Sequence, residues 1–340
     1  MNALNNIRRF WIYWLKLLVA FLLLGIIYRE INRYESIIEA FSAANRINLI
    51  LALLLLIPNI FLATFKWRYL LRTKYPNCSI KEAFDSLLFG LSLGLVTPGN
   101  LGELARGLYF SNRDKVAITG LNFFDKLCNI LLLVTIGFFA INRLIFSQFD
   151  WPNFIVFPLS ILSFFVIILF WMIMLNPGWM VRVFGKNFMR LSESSLYQNL
   201  SSVFGSMTQR NIYTLLGYTL IWFIIIILQY HILVLAFTEV TLFQSLQAVP
   251  AILFTKVLLP VSFADLGIRE GVAIFYYSLF NISKVAVFNA SITIFVINFL
   301  IPACLGSYFV FKLRNSKKWE ENTVRSDDLN HEIQTPVKND

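Results

Sequence analysis

The chain has 340 residues, of which 58% are hydrophobic and only 14% charged, and it carries a formal net charge of +10. Soluble domains run at about a quarter charged, so this is the composition of a polytopic membrane protein. Its basic residues gather at the ends of apolar runs, where they orient a chain in a bilayer, and no basic domain is left to hold a nucleic acid.

Arg8 and Arg9 precede an apolar run from about Trp11 to Tyr28, whose Trp11, Tyr13 and Trp14 suit an interfacial aromatic belt. Without a small-residue cleavage site it reads as a retained anchor with a cytosolic N-terminus. The next run, about Ile47 to Leu62, ends at Lys66, Arg68, Arg72 and Lys74, a basic cluster that belongs inside. From Phe84 to Val96 the apolar run covers only about 13 residues, or about 20 Å, too short for a hydrocarbon core of about 30 Å. Thr97-Pro98-Gly99-Asn100 follows as a turn signature, since Pro presets φ and Gly accepts positive φ. The chain is therefore expected to enter, turn and return. If a helix restarts near Asn100, Glu103 and Arg106 share one face of its first turn.

Runs at about Ala117 to Ile141 and Phe154 to Leu175 read as crossings outward and inward, the first carrying Asp125-Lys126. Between them, Arg143 alone is basic. Asn176 to Asn211 is polar, with Arg182, Lys186 and Arg190 at i, i+4 and i+8. That spacing fits an amphipathic helix on the cytosolic leaflet or a solvated linker helix. About Ile212 to Phe237 crosses outward, about Phe243 to Phe280 is a second broken element, and about Ala286 to Phe311 crosses inward. Lys312, Arg314, Lys317 and Lys318 mark a cytosolic C-terminus, and the polar, aperiodic tail reads as disordered.

The second broken element repeats the order of parts in the first: Pro260, Ser262, Asp265, Gly267, Arg269, Glu270. With both elements re-entrant, every basic cluster falls on one side. The expected fold is an all-α polytopic membrane protein with six full transmembrane helices plus two broken re-entrant helical hairpins arranged as an inverted repeat.

A charge at the centre of a spanning helix costs about 2.5 to 3.5 kcal/mol on insertion scales. Glu103, Arg106, Asp125, Lys126, Lys256, Asp265, Arg269 and Glu270 are therefore expected to face one another. One reading is a polar midplane cavity in which Arg106 and Arg269, with half-helix N-termini around Asn100, Gly102, Ser262 and Gly267, hold an anion such as a phosphate. Glu103 and Glu270 then hold those arginines while the site is empty, Asp265 belongs to the same headgroup-binding set, and Asp125, Lys126 and Lys256 support it. The other reading is a set of internal ion pairs locking a bundle. Asp125-Lys126 also suits a position near the cytosolic interface, and Gln229 and His231 suit interhelical hydrogen bonds. Three scattered cysteines, Cys78, Cys128 and Cys304, and two histidines offer no disulfide framework, no metal site and no Ser-His-Asp triad. No metal and no cofactor is expected.

At Thr97-Pro98-Gly99 with Gly102-Glu103-Leu104-Ala105-Arg106, at Asp125-Lys126, and at Leu259-Pro260-Val261-Ser262 with Gly267-Ile268-Arg269-Glu270-Gly271, the chain resembles the lysylphosphatidylglycerol synthase transmembrane family, a flippase-like group also described as UPF0104. The resemblance implies a transmembrane flippase-like domain over residues 1–313 that moves or accommodates an anionic or isoprenoid phospholipid in the cell (inner) membrane. A separate lipid-modifying enzyme is a candidate partner. In the synthases a soluble domain transfers lysine from charged tRNA, and a tail over 314–340 is too short to be one, so that activity is not expected of this chain. A membrane-embedded transferase or hydrolase, or a non-transporting lipid-binding partner, are the competing expectations. The first of these finds no nucleophile with its base and no nucleotide-binding loop in the sequence.

Overall fold

The computed structural model describes residues 18, 21–30, 36–95, 97–149, 151–176, 178–179, 202–259 and 265–312, with backbone only at 98–100. Among these residues all regular structure is helical. Helix α1 covers 21–30 and α2 covers Ile37–Ser42. Asn45 caps α3 (Arg46–Leu54), its side chain accepting from the Ile47 and Asn48 amides. α4 (Leu56–Arg72) continues the same span after a one-residue break at Leu55. The cause lies at Pro58, which has no N–H to offer Leu54 and crowds the preceding turn.

α5 (Ile80–Leu95) opens with a reciprocal cap between Ser79 and Glu82. At about 24 Å it is short of a full crossing. The chain then turns at Thr97 and returns along α5 as a 3₁₀ segment, Pro98–Tyr109. Tyr109 comes back to the level of Asp85 and Phe89, donating to Asp85 at 3.0 Å and packing its ring, tilted, against that of Phe89. The hairpin is thus present, but its second arm is a 3₁₀ helix where a standard helical restart was expected. With three residues per turn, Glu103 and Arg106 lie one above the other.

α6 (Lys115–Gln148), capped by Asp114, runs through both halves of the molecule, and α7 (Asn153–Leu175) packs on it through Trp171 to Thr135 at 2.9 Å. Most of α7's apolar surface faces outward, as on a lipid-facing helix. α8 (Gln209–Leu235) precedes the second hairpin, whose arms are α9 (Leu242–Leu258) and α10 (Ile268–Ser278). Tyr277 donates to Ser245 at 3.1 Å and Thr255 bonds Tyr276 at 2.8 Å, so the arms lie side by side. α11 (Lys284–Phe295) continues through a π turn at Val296–Leu300 and on to Lys312.

Among the described residues five helices are long and apolar enough to cross a membrane: Arg46–Arg72, Lys115–Gln148, Asn153–Leu175, Gln209–Leu235 and Lys284–Lys312. They coincide with five of the six expected crossings. Half of the first, Trp11 to Tyr28, lies outside the described residues, and the basic stretch Arg182 to Arg190 and the tail at 314–340 lie wholly outside them. One buried apolar cluster forms around the first hairpin, using Leu121 to Leu132 of α6 and Ile212 to Leu216 of α8. Another forms around the second, using Leu133 to Leu144 of α6 and Phe223 to Val234 of α8.

Candidate functional site

The Thr97 hydroxyl is the joint of the first hairpin. It donates to the Leu93 carbonyl at 2.9 Å and accepts the Gly102 amide at 2.6 Å, satisfying backbone groups that the helix break frees. A Cβ at Gly102 would sit 2.1 Å from the Leu93 carbonyl oxygen, so only glycine lets the arms approach this closely. Gly90 and Gly94, four residues apart on one face of α5, leave a groove for the returning side chains. Cβ atoms there would meet Arg106 Cγ at 2.4 Å and Glu103 Cγ at 2.9 Å.

In that groove Glu103 accepts from Lys126 Nζ at 2.8 Å and lies 3.5 Å from Arg106 Nη2. Asn122 of α6, fully buried, pins the turn by donating to the Glu103 carbonyl. Arg106 is 6% exposed, its guanidinium 5.1 Å from the centre of the Trp67 ring, and its Nε is buried without a hydrogen-bond partner. One carboxylate therefore serves two cations, and Arg106 keeps an unused donor.

In the second hairpin Asp265 (φ 59°) and Gly267 (φ 83°) make the left-handed turn into α10. Glu270 is fully buried and accepts the Gly267 amide at 2.6 Å, Arg269 Nε at 2.9 Å and Nη2 at 2.5 Å, and Ser291 at 3.3 Å. Arg269 stacks 4.8 Å from the Phe295 ring centre, and Lys256 pairs with Asp265 at 3.0 Å. Here each cation has a carboxylate of its own.

The hairpins meet at a cavity of about 340 Å³. Of the expected residues, Glu103, Arg106, Asp125, Lys126, Lys256 and Arg269 line it. Asp265 and Glu270 stand behind the wall as counter-ions. Gly102 and Gly267 have backbone roles in the turns. Ser262 and the Asn100 side chain lie outside what the structure describes.

Lys66 corrects the sequence reading. Read as part of a cytosolic basic cluster, it is buried in α4, 2.6 Å from Asp125 and 2.5 Å from Asn129 Oδ1, and it lines the cavity. Asp125 is therefore an inward group. The available signal was Asn59, seven residues earlier and so on the same face two turns away. Asn59, Asn129, Trp222, Tyr230 and Asn298, which also line the cavity, were not anticipated. Gln229 and His231 make interhelical bonds, Gln229 to the Ala52 carbonyl at 2.8 Å and His231 to Ser245 at 3.0 Å.

Five cationic side chains (Lys66, Arg106, Lys126, Lys256 and Arg269) thus line the cavity with two carboxylates, Glu103 and Asp125, and once Asp265 and Glu270 behind the wall are included the set keeps a single net positive charge. A cavity of this size, with a small excess of positive charge among its charged groups, can accept an anion. The family model described as Lysylphosphatidylglycerol synthase TM region matches residues 13–306. No curated protein and no solved structure matches the chain.

Proposed function

We propose, from the premise that this chain belongs to the lysylphosphatidylglycerol synthase transmembrane family, that it binds the anionic headgroup of a membrane lipid in the cavity between its hairpins and carries that headgroup between leaflets. Family membership and the apolar helices make it an integral membrane protein of a lipid-related family. The observation that carries the finer reading is the convergence of cations from both hairpins and two full crossings on one cavity, with the Arg106 Nε still unsatisfied. Charge-assisted hydrogen bonds to a phosphate or phosphate-like group would satisfy it. Inverted halves that rock about a central site are the way such an anion is exposed to each side in turn.

The binding test compares single variants in nanodiscs. Arg106→Gln is expected to weaken binding of anionic lipid by about tenfold or more, the worth of one charged hydrogen bond. Glu103→Gln is expected to strengthen it, because Arg106 and Lys126 lose the carboxylate they share. Isothermal titration with short-chain anionic lipid reads both. Wild-type affinity in Arg106→Gln would remove the basis of the proposal.

The arrangement in the bilayer is part of the same proposal: both termini cytosolic, the first hairpin entering from the cytosol and the second from outside. In a background with the exposed Cys304 replaced by serine, a single cysteine at Asn112, beyond the first hairpin, is expected to react only with reagent on the cytosolic side. One at Asn281, beyond the second, should react only from outside. Labelling of both from one face would rule out opposed hairpins.

A further inference from the structure

We infer that the base of the first hairpin, where its two arms enter and leave, holds a second anion-binding station outside the central cavity, at which a phosphate group is captured before it passes Tyr109 to reach Arg106. The inference rests on the anionic-headgroup reading above and adds its route of entry, on the side that the proposed arrangement makes cytosolic.

The 3₁₀ register of the returning arm sets the route. With three residues per turn, Glu103, Arg106 and Tyr109 stack on one face. Glu103 lies over Gly94 and Arg106 over Gly90, and both line the central cavity. Tyr109 lines a different cavity of about 500 Å³, together with Glu82, Ser111, Asn112, Arg113 and Lys312. One face of one arm therefore runs from the first cavity to the second, and Tyr109 is the side chain between them. Its ring packs against those of Phe89 and Phe309, with centres 6.1 and 6.3 Å away, and its hydroxyl donates to Asp85 at 3.0 Å. Asp85 is 7% exposed and lines neither cavity, so its charge holds the tyrosine and does not face a passing anion.

The chemistry of the second cavity suits a phosphate. The Arg113 guanidinium is fixed by Glu82 at 2.6 Å and by the rings of Phe110 and Tyr75, 4.6 and 5.3 Å from their centres. That pair is neutral as a unit. Lys312 is exposed and makes no ion pair among the described residues, so it leaves the cavity with one net positive charge and can give an anion a charge-assisted hydrogen bond. The N–H groups of Ser111, Asn112 and Arg113 have no acceptor among the described residues, and successive free N–H groups commonly hold an anion. An ammonium group is disfavoured, because the one lining carboxylate, Glu82, is already spent on Arg113 and the Ser79 amide.

The test follows stopped-flow tryptophan fluorescence of the full chain in detergent micelles, where Trp67, beside Arg106, and Trp222, in the cavity wall, report arrival in the central cavity. The probes are dihexanoyl phosphatidic acid and inorganic phosphate. A signal from the lipid alone assigns the route to a lipid-borne phosphate, and a signal from both assigns it to phosphate from either source. A station on the path changes association and dissociation together and leaves the equilibrium constant alone. Lys312→Gln is therefore expected to slow both rates about threefold to fivefold at the wild-type Kd. Tyr109→Phe keeps the ring but gives up the bond to Asp85, and is expected to speed both rates about fivefold, again at the wild-type Kd. Lys312→Gln breaks no ion pair, so it tests the station even where Tyr109→Phe loosens the hairpin. Unchanged rates in both variants would overturn the station while leaving the central site standing. A change confined to dissociation would overturn it too, because Lys312 and Tyr109 would then belong to the bound state and not to the route. If wild-type protein bound neither probe, the anionic-headgroup reading would fail first and the station with it.

Discussion

Glu270→Gln is expected to destabilise the protein by about 3 to 5 kcal/mol, the cost of leaving a buried cation without its partner. Glu270 is fully buried and collects four hydrogen bonds, from the Gly267 amide, twice from Arg269, and from Ser291. A neutral amide offers one oxygen where the carboxylate offers two, and its NH₂ would point at donors. The turn into α10 loosens together with the ion pair, because one residue serves both. Replacing Arg269 and Glu270 together by Met should cost less than the sum of the single replacements, with a coupling energy of about 1 to 3 kcal/mol. Equilibrium unfolding in mixed micelles gives all four corners of that cycle. A loss in Glu270→Gln below about 1 kcal/mol would mean that Arg269 is well hydrated in the empty cavity and needs no counter-ion. The contrast with Glu103 is informative: Glu103 lines the cavity and is shared by two cations, so its neutralisation is expected to show chiefly in anion affinity, whereas that of Glu270 shows chiefly in stability.

Gly102→Ala is expected to cost about 3 kcal/mol and to disable the first hairpin. The added methyl would lie 2.1 Å from a backbone carbonyl, which cannot rotate away, so the 3₁₀ arm must move off α5 and the Thr97 bridge must open. Glu103 is the next residue and Arg106 lies about one turn further along that arm, so anion binding should fall with stability. Gly306→Ala tests the other face of α5, where the Leu88 carbonyl lies 2.0 Å from the new methyl and Ser92 bonds the Ala303 carbonyl. The internal control is Gly217→Ala in α8, which meets nothing within 4 Å and should gain about 0.5 to 1 kcal/mol from reduced backbone entropy in the unfolded chain. Comparable losses at Gly217 and Gly102 would show that close backbone approach is not what glycine supplies at the hairpin.

Lys66 shows where reading the sequence goes astray. Basic residues after an apolar run are assigned to the cytosol because a bilayer repels them, and for Arg68, Arg72 and Lys74 that rule met no contrary geometry. It fails for Lys66 because α4 runs on to Arg72, and Asp125 and Asn129, about sixty residues away, supply the pairing that makes an inward lysine tolerable. Positive-inside reasoning weighs a charge against lipid and water. It has no term for a partner brought by folding.

The amides that line the cavity escaped notice for a related reason. Asn59, Asn129 and Asn298 are single polar residues in apolar runs, and each is as compatible with an interhelical hydrogen bond as with a cavity. Gln229 takes the first role and Asn298 both, and only the packing of α3, α8 and α11 assigns them.

Sequence by itself determined the membrane class, the five described spans, both breaks and the pairing of Arg106 with Glu103 and of Arg269 with Glu270. Those follow from apolar run length, from the turn chemistry of Pro98-Gly99 and from contacts between residues at most three apart, all of which are local. Tertiary structure decided that the first returning arm is 3₁₀, where it packs into the groove over Gly90 and Gly94. It also decided that Lys126 joins Arg106 on one carboxylate, that Lys66 belongs to the cavity, and which amides face it. Each of these depends on groups brought together from distant parts of the chain, where the cost of burying a polar atom is met only by partners that adjacent residues do not specify.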